Sequence, residues 1–454
     1  MKETFNTVVV IDFGGQYCHL IARRAREHRV YSEIVPCDMT QEEILNLQNK
    51  IAVKGIVLSG GPSSVYEQDA PSLDPKVLGS GIPILGLCYG HQLIAYMLGG
   101  EVRRGDKKEY GVTQVTVTKP EGVLEGLDPV EEVWMSHGDT VYGLPKNFEM
   151  LAHSENCPIA AFRHKEKSIY GLQWHPEVAH TKHGDIMLRN FLFKVCGCEA
   201  DWNPASLTDK AINEIRRSVG EKKAIIALSG GIDSSTVTVL TSRAIGKQLT
   251  AVFVDHGFMR EGEPEFVEKT FKDLGVNTVI VDAREHFFNR MRGILDPERK
   301  RKIIGEEFIR VFEEVAEKTK SEYLLQGTIY PDRIESGARK HSEKIKSHHN
   351  VAGLPTEIRF KDIIEPLRDL YKDEVREVAK SLGLPKEILH RQPFPGPGLA
   401  VRVIGEVTSD KVDLLKKADK IVEEEIEKDS TLREPLAVLR CLNRHEEHRG
   451  QRGL

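Results

Sequence analysis

The sequence predicts an α/β protein with two domains, each built on a sheet of parallel strands. Short apolar runs alternate with helical patterns in both halves of the chain, which is typical of β-α-β units. Glycine-rich turns follow several of these runs, as they do where parallel strands end beside a ligand. The chain has 454 residues, enough for two or three domains that each bury a core.

Composition excludes several classes of protein. Hydrophobic residues make up 40% of the chain and charged residues 29%, which is ordinary for a globular protein. The net charge of −5 gives no general attraction to nucleic acid or to an anionic membrane. No apolar stretch approaches membrane-spanning length, and the polar start of the chain lacks a signal-peptide pattern. The 7 cysteines are scattered and odd in number, which argues against a disulfide framework. We therefore expect a cytoplasmic protein without nucleic-acid or membrane partners.

The first half of the chain has the pattern of a parallel sheet with helices between its strands. The predicted strands are at 7–11, 32–35, 54–58, 82–87 and 168–174. The predicted helices are at 16–26, 41–47 and 91–98. Thr40 stands directly before the second helix and is a candidate N-cap residue.

A cysteine follows the fourth predicted strand in a turn flanked by glycines. Residues 86–90 read Gly-Leu-Cys-Tyr-Gly, the pattern of a nucleophile elbow with Cys88 at the exposed position. The flanking glycines allow a sharp turn, and the N-terminus of the following helix favours the thiolate. Taken alone, a cysteine at a strand end is more often a small buried residue.

Two further motifs supply partners for this cysteine. A predicted strand ends at His175, and Glu177 follows two residues later, so the carboxylate can orient the imidazole as a base. With Cys88 they would form a Cys–His–acid triad. Residues 59–62 read Ser-Gly-Gly-Pro at a neighbouring strand end, where glycine amides can join the amide of Tyr89 to stabilise an oxyanion.

Together, the nucleophile elbow, the glycine motif at 59–62 and the His-Pro-Glu motif at 175–177 resemble the signatures of class I glutamine amidotransferases. The resemblance implies that Cys88 attacks the side-chain amide of glutamine and releases ammonia. It makes His175 the general base and acid, and Glu177 its partner. It also implies an oxyanion hole formed by the amides of Gly61 and Tyr89, and a glutamine site that includes Gln92, Ser136 and His137. Taken alone, His137 would more often be a structural loop residue.

A linker and a second α/β alternation follow. The helical pattern is lost and a proline appears within residues 192–206, which predicts a linker. We assign the domains to residues 1–198, 199–398 and 399–454. Beyond the linker, strands are predicted at 224–228, 249–254, 278–281 and 323–325. Helices are predicted at 207–219, 236–244, 263–274, 297–319 and 409–428.

A glycine- and serine-rich loop opens this second domain between a buried strand and a helix. This geometry aims backbone N–H groups and the helix dipole at a phosphate. The candidate ATP-binding residues are Ser229, Gly230, Gly231, Ile232, Asp233, Ser234 and Ser235. Asp233 can hold Mg²⁺ against the phosphates. The loop lacks the lysine of a Walker A motif, which disfavours a kinase or GTPase. The alternative is a tight turn with no ligand.

The loop resembles that of the ATP pyrophosphatases, among which are NAD synthetases, asparagine synthetases, argininosuccinate synthetases and tRNA thiolases. The segments at 255–260, 327–336, 346–355 and 391–398 narrow this choice. With them, the chain is similar to the glutamine-hydrolysing GMP synthetases from about residue 8 to about residue 426.

This resemblance implies a reaction with three substrates, which are glutamine, ATP and XMP, together with Mg²⁺. ATP adenylates XMP with release of pyrophosphate, and ammonia from glutamine then displaces AMP to give GMP. The candidate residues for XMP binding or for a lid over the site are Arg260, Asp332, Glu335, Lys346, His348 and His349. Their cations suit a departing pyrophosphate. The alternative for the segment that contains Lys346, His348 and His349 is a charged loop exposed to solvent.

The chain departs from the family after residues 405–407, where relatives continue into a β-rich domain that dimerises and completes the XMP site. Residues 430–454 match nothing in the family. We expect residues 399–454 to be a truncated or altered remnant of that domain, which puts the family's homodimer and XMP binding in doubt. A basic nucleic-acid tail is the other interpretation of this segment. For the whole chain, the alternatives are a catalytically impaired nucleotide-binding chain and an amidotransferase–adenylase for another acceptor.

Overall fold

The computed structural model describes residues 5–47, 51–337, 360–392 and 394–428. The chain divides after Asn203 into two compact units. The domain boundaries expected from the sequence stay predictions. No helix in the described part of the chain combines the length and apolar character that crossing a membrane requires.

The first unit contains a mixed sheet with helices on its parallel part. Its elements are β1 (Asn6–Asp12), α1 (Cys18–Glu27), β2 (Tyr31–Pro36), α2 (Gln41–Leu47), β3 (Ala52–Leu58), β4 (Ile84–Leu87), α3 (Tyr89–Met97), β5 (Glu101–Val117), β6 (Val130–Gly143), β7 (Phe148–His153), β8 (Ala161–His164), β9 (Ile169–Leu172) and α4 (Gly184–Arg189). The strand order is β2-β1-β3-β4-β9-β8-β7-β5-β6. The neighbouring strands β2, β1, β3, β4 and β9 pair parallel. From β9 onward, the strands β8, β7, β5 and β6 pair antiparallel with their neighbours.

The parallel part of this sheet confirms the five strands predicted from the sequence. Val8, Val9 and Val10 of β1 are each at most 1% exposed, because a central parallel strand is covered on both faces. The antiparallel part corrects the expectation of an all-parallel sheet. Its long strands, β5 and β6, carry many exposed polar and charged residues, which interrupt the apolar runs on which the prediction rested.

Thr40 caps α2 as predicted. The backbone N–H of Glu43 donates to Oγ1 of Thr40 at 3.3 Å, and Oε2 of Glu43 accepts from the backbone N–H of Thr40 at 2.8 Å. The two residues thus form a reciprocal capping box that satisfies N–H groups at the helix start.

The second unit is built on a five-stranded parallel sheet. Its elements are α5 (Leu207–Val219), β10 (Ala224–Ala227), α6 (Ile232–Ile245), β11 (Leu249–Asp255), α7 (Glu263–Asp273), β12 (Thr278–Asp282), α8 (Arg284–Met291), α9 (Pro297–Thr319), β13 (Tyr323–Leu325), α10 (Tyr330–Gly337), β14 (Asp362–Ile364), α11 (Lys372–Ser381), α12 (Lys386–Leu389) and α13 (Ser409–Lys428). The strand order is β12-β11-β10-β13-β14. The winding direction reverses between β10 and β13, and in open α/β sheets ligands bind at such a point, beyond the carboxyl ends of the strands.

The start of α13 and the segment before it pack on the second unit. Val403, Val407, Val412 and Leu415 join one buried cluster that also contains Phe287 of α8. The ammonium group of Lys300 in α9 donates to the carbonyl oxygens of Val403 and Gly405, both at 2.7 Å. The segment before α13 and the first turns of this helix therefore contribute side chains to the core of the second unit.

Candidate active site

Cys88 lies on a strained turn between β4 and α3. Its φ of 49° and ψ of −101° fall in a region that non-glycine residues rarely adopt, and such strain is typical of a nucleophile elbow. A Cβ atom on Gly86 would lie 2.5 Å from the carbonyl oxygen of Gly90. One on Gly90 would lie 2.5 Å from the carbonyl oxygen of Leu58. The two glycines therefore make the close approach of strand and helix sterically feasible, as the sequence motif predicted.

His175 and Glu177 form a buried pair beside this cysteine. Nδ1 of His175 lies 2.7 Å from Oε1 of Glu177. A Cβ atom on Gly60 would lie 3.1 Å from Cε1 of His175 and 3.7 Å from Cβ of Cys88, so Gly60 lies beside both residues. Burial lowers the pKa of His175, but the charge of Glu177 and hydrogen bonds with Cys88 and Glu177 together raise it to about 11. The structure thus brings the predicted Cys–His–acid triad together.

The backbone around His175 is fixed by contacts from other elements. Its N–H donates to the carbonyl oxygen of Trp134 in β6 at 3.1 Å. Oγ1 of Thr181 donates to the carbonyl oxygen of His175 at 2.6 Å and accepts from the N–H of Trp134 at 3.0 Å. Nε of Arg24 in α1 donates to the carbonyl oxygen of Glu177 at 2.9 Å. These contacts hold the imidazole at the carboxyl end of β9.

The two predicted oxyanion donors lie beside the nucleophile. Tyr89 is the first residue of α3, so its N–H has no partner within the helix. A Cβ atom on Gly61 would lie 2.8 Å from the carbonyl oxygen of Phe13 and 3.2 Å from Cγ of Tyr89, which places Gly61 against the helix start. Both residues line a cavity of about 620 Å³, together with Cys88 and His175.

The three predicted glutamine-binding residues line the same cavity, which is large enough for an amino acid. Charged side chains of both signs also line it, and this suits a zwitterionic ligand: they are Glu67, Arg104, Lys108 and Asp139. The carbonyl oxygen of Ser136 accepts from Sγ of Cys88 at 3.5 Å. Nε2 of Gln92 donates to the carbonyl oxygen of Asp139 at 2.9 Å.

The predicted phosphate loop links β10 to α6 in the second unit. Oγ of Ser234 accepts a hydrogen bond from the N–H of Ser229 at 3.2 Å. The Oγ atoms of the two serines are 2.9 Å apart. Gly230 has a φ of 73°, and a Cβ atom there would lie 2.6 Å from Oε1 of Glu263, so the position suits glycine alone. Nη1 of Arg391 donates to the carbonyl oxygen of Gly230 at 3.0 Å. The loop is therefore held in shape by its own hydroxyl groups and by a distant arginine.

Asp233 combines an ion pair with an unused carboxylate oxygen. Its Oδ2 atom pairs with the ammonium group of Lys372, the first residue of α11. Its Oδ1 atom is buried without a hydrogen-bond partner among the described residues. Gly327, which follows β13, packs on this turn: a Cβ atom there would lie 3.2 Å from the backbone nitrogen of Ser234. The loops after β10 and β13 therefore meet where the sheet reverses its winding.

Of the residues predicted for XMP binding or a lid, the structure describes the side chains of Arg260 and Asp332. Nε of Arg260 lies 2.7 Å from Oε1 of Glu423 in α13, and Nη2 donates to the carbonyl oxygen of Gln392 at 2.8 Å. Burial lowers the pKa of Arg260. Oδ2 of Asp332 accepts from the N–H of Ile329 at 3.2 Å, at the start of α10. The side chain of Glu335 and the residues Lys346, His348 and His349 lie outside the described part of the chain.

Sequence reasoning assigned no role to Lys372, Arg391 or Glu109. Arg391 opens one of the motifs that carried the family resemblance, so a signal was present without a function attached to it. Lys372 and Glu109 had no local signal, because their partners, Asp233 and His137, lie far away in the sequence.

Comparison with known proteins agrees with this arrangement. Residues 9–195 match the class-I glutamine amidotransferase family, and residues 204–385 match the PP-loop domain family. The fold and the two sites thus define a class I glutamine amidotransferase joined in one chain to a PP-loop domain.

Whole-chain relatives narrow the class to one family. A glutamine-hydrolyzing GMP synthase from Caldicellulosiruptor saccharolyticus is 55% identical over 422 residues, which cover 92% of this chain and 82% of that protein. The corresponding protein from Acetivibrio thermocellus is 52% identical over 421 residues, covering 92% and 81%. That from Lactobacillus acidophilus is 51% identical over 429 residues, covering 94% and 82%. The chain belongs to the glutamine-hydrolysing GMP synthase family, and the resemblance found in its motifs is confirmed.

Proposed function

We propose that this chain makes GMP from XMP, ATP and glutamine as a ligase that forms a C–N bond. The observation that carries the proposal is the strained Cys88 beside the His175–Glu177 pair, in a chain whose other unit presents a phosphate loop at a helix N-terminus. The first site suits release of ammonia from an amide, and the second suits cleavage of ATP. The names of the relatives supply the acceptor, XMP.

Glutamine hydrolysis begins at the cysteine in this proposal. The thiol proton of Cys88 passes to His175, Sγ attacks the carbonyl carbon of the glutamine side chain, and the carbonyl oxygen becomes an oxyanion. The N–H groups of Gly61 and Tyr89 donate to that oxyanion. His175, held charged by Glu177, gives its proton to the departing nitrogen, so ammonia leaves and a thioester forms. Water activated by the same imidazole then hydrolyses the thioester to glutamate and frees the thiol.

ATP cleavage uses the second unit. The C2 oxygen of XMP attacks the α-phosphorus of ATP, and the bond to the β-phosphate breaks to release pyrophosphate. The backbone N–H groups and hydroxyls of residues 229–235 and the N-terminus of α6 stabilise the charge on that leaving group. Ammonia then attacks C2 of the adenylated base, and AMP departs with the oxygen.

The residues around Asp233 fit a magnesium ion. Its Oδ1 atom is buried and unpartnered in the described residues, and a carboxylate oxygen is a ligand that Mg²⁺ prefers. When bound there, the ion would neutralise charge on the phosphate oxygens of ATP. Lys372, paired with the other carboxylate oxygen, places a second cation beside the same loop.

Arg260 is the described candidate for the phosphate of XMP, because a guanidinium matches phosphate oxygens with two hydrogen bonds. Its contact with Glu423 means that phosphate binding would exchange one anionic partner for another. Asp332, Glu335, Lys346, His348 and His349 remain candidates for the XMP site or its lid. The cytoplasmic location and the family homodimer expected from the sequence also remain part of the proposal.

Incubation of the full chain with XMP, ATP, Mg²⁺ and glutamine tests this function. We expect GMP, pyrophosphate and glutamate in equal amounts, and we expect ammonium salts to replace glutamine. Omission of XMP should stop pyrophosphate release. Absence of GMP with either nitrogen source would overturn the proposal, and product formation with a different acceptor would reassign the substrate. Sedimentation of the same sample decides the oligomeric state.

A further inference from the structure

A buried histidine–carboxylate pair lies one residue away from the contact between Ser136 and the nucleophile. Nε2 of His137 in β6 is 3.1 Å from Oε2 of Glu109 in β5, and the two residues are direct partners across the antiparallel pairing. Their side chains are only 2% and 4% exposed. Burial of polar side chains at this depth is costly unless their polar atoms have hydrogen-bond partners. The mechanism given above assigns nothing to Glu109.

Each ring nitrogen of His137 has an oxygen partner. Nδ1 lies 2.8 Å from the carbonyl oxygen of Asp139, which accepts hydrogen bonds and cannot donate one. Nε2 faces Glu109, whose other oxygen accepts from Oγ of Ser154 at 2.8 Å. Burial raises the pKa of Glu109, but hydrogen bonds from His137 and Ser154 outweigh it and lower the pKa below its usual value. Both ring nitrogens of His137 therefore face oxygen atoms that can accept a hydrogen bond.

The same carbonyl group connects this pair to the glutamine pocket. The carbonyl oxygen of Asp139 also accepts from the side-chain amide of Gln92 at 2.9 Å, so the atom of Gln92 that faces it is Nε2. Nε2 makes a second bond, of 3.1 Å, to Oε1 of Gln173. No hydrogen bond among the described residues ends on Oε1 of Gln92, which leaves that oxygen for a donor in the cavity.

We propose that Glu109 is a positioning residue for glutamine hydrolysis, a role that rests on the function proposed above. Its carboxylate holds His137 as an imidazolium, which fixes the carbonyl of Asp139 and thereby the amide of Gln92. The oxygen of that amide accepts a hydrogen bond from an N–H group of the substrate. With Glu109 neutral, His137 can lose the Nδ1 proton that it donates to Asp139, so the carbonyl of Asp139 and the Gln92 amide bonded to it are no longer held in place.

The variant Glu109→Gln in the full chain tests this role, since it keeps the shape and removes the charge. We expect the KM for glutamine to rise about tenfold with little change in kcat, because one hydrogen bond to the substrate is lost in the ground and transition states alike. GMP formation from ammonium salts should keep its rate. Glu101→Gln is the matched control: Glu101 is in the same strand, pairs with Arg103 and is exposed, so glutamine KM should not change.

Nitrogen NMR of the histidine rings tests the protonation state directly, with His137→Gln used to assign the signal. In the unaltered chain at neutral pH, we expect the two ring nitrogens of His137 to show the similar shifts of an imidazolium. A neutral imidazole there would overturn the proposal, as would an unchanged glutamine KM in Glu109→Gln. Should Glu109→Gln fail to fold, the spectrum of the unaltered chain still decides. Failure of the proposed function itself is distinguishable, because the unaltered chain would then make no GMP from either nitrogen source.

Discussion

Nδ1 of His175 lies 2.7 Å from Oε1 of Glu177, while Oε2 of the same carboxylate is buried with no hydrogen-bond partner in the described part of the chain. The charge of Glu177 is therefore not shared with other side-chain donors and acts mainly on one imidazole. This arrangement explains why His175 is held protonated against the effect of its own burial.

Glu177→Gln should remove the charge that raises the pKa of His175 to about 11. We expect glutamine-dependent GMP formation to fall by roughly 10²- to 10⁴-fold, because the imidazole loses its orientation and its proton. Ammonia-dependent formation should not change. Glu166→Gln, on an exposed turn of the same unit, is the control. Equal loss with both nitrogen sources would contradict a role confined to glutamine hydrolysis.

The same pair predicts a dependence of stability on pH. Because the pKa of His175 is raised in the folded state, its protonation stabilises the fold fully at pH values below the ordinary pKa of 6.5. This stabilisation is lost progressively as the pH rises toward about 11. The difference in urea midpoint between the unaltered chain and Glu177→Gln should therefore shrink between neutral pH and pH 11. A difference that grows with pH would show that His175 is not held protonated.

Cys88→Ala should separate the two sites. Without the thiol no thioester forms, so we expect glutamine-dependent GMP formation to fall by more than about 10³-fold. External ammonia should still be used, because the phosphate loop lies in the other unit. Cys37→Ala removes another free thiol of the first unit and should leave both activities intact. Loss of ammonia use in Cys88→Ala would count against two separable sites.

Gly90→Ala tests the steric requirement of the elbow. The new Cβ would lie 2.5 Å from the carbonyl oxygen and 2.6 Å from Cβ of Leu58, so α3 must move away from β3. Overpacking of this kind costs about 1–3 kcal/mol, and the displaced Cys88 should lose most glutamine hydrolysis. Gly79→Ala is the control, because a Cβ there would meet nothing within 4 Å. Thermal melting and glutamate release are the measurements, and a Gly90→Ala chain as stable and active as Gly79→Ala would contradict the close approach.

Asp233→Asn tests the magnesium assignment in the second unit. The amide removes the charge that pairs with Lys372 and weakens the oxygen ligand at Oδ1, which has no hydrogen-bond partner among the described residues. We expect XMP-dependent pyrophosphate release to fall by at least about 10²-fold and the required Mg²⁺ concentration to rise. Asp273→Asn, on the exposed end of α7, is the control. A variant with an unchanged Mg²⁺ requirement would remove Asp233 from the metal site.

The sequence was most informative where one local pattern determines both structure and chemistry. The strand-turn-helix motifs around Cys88 and Ser229 combine an apolar run, glycines and a functional residue within a few positions, so their fold and site follow together. The bond between Asp233 and Lys372 joins residues 139 positions apart, and no local pattern specifies it. The pairing of β5 with β6 was missed for a different reason, since their mixed polar faces do not produce a continuous apolar run.

The hydrogen bond from Arg391 to the carbonyl oxygen of Gly230 spans 161 positions of the chain. The strand before this loop, β10, pairs with β13, so the centre of the second sheet also forms only after a distant strand has been synthesised. The ribosome must therefore release another 161 residues after Gly230 emerges before the nucleotide loop acquires its contact with Arg391. The first unit ends at Asn203, so it completes its own contacts earlier. During synthesis, the ammonia-producing half should mature before the half that consumes ammonia.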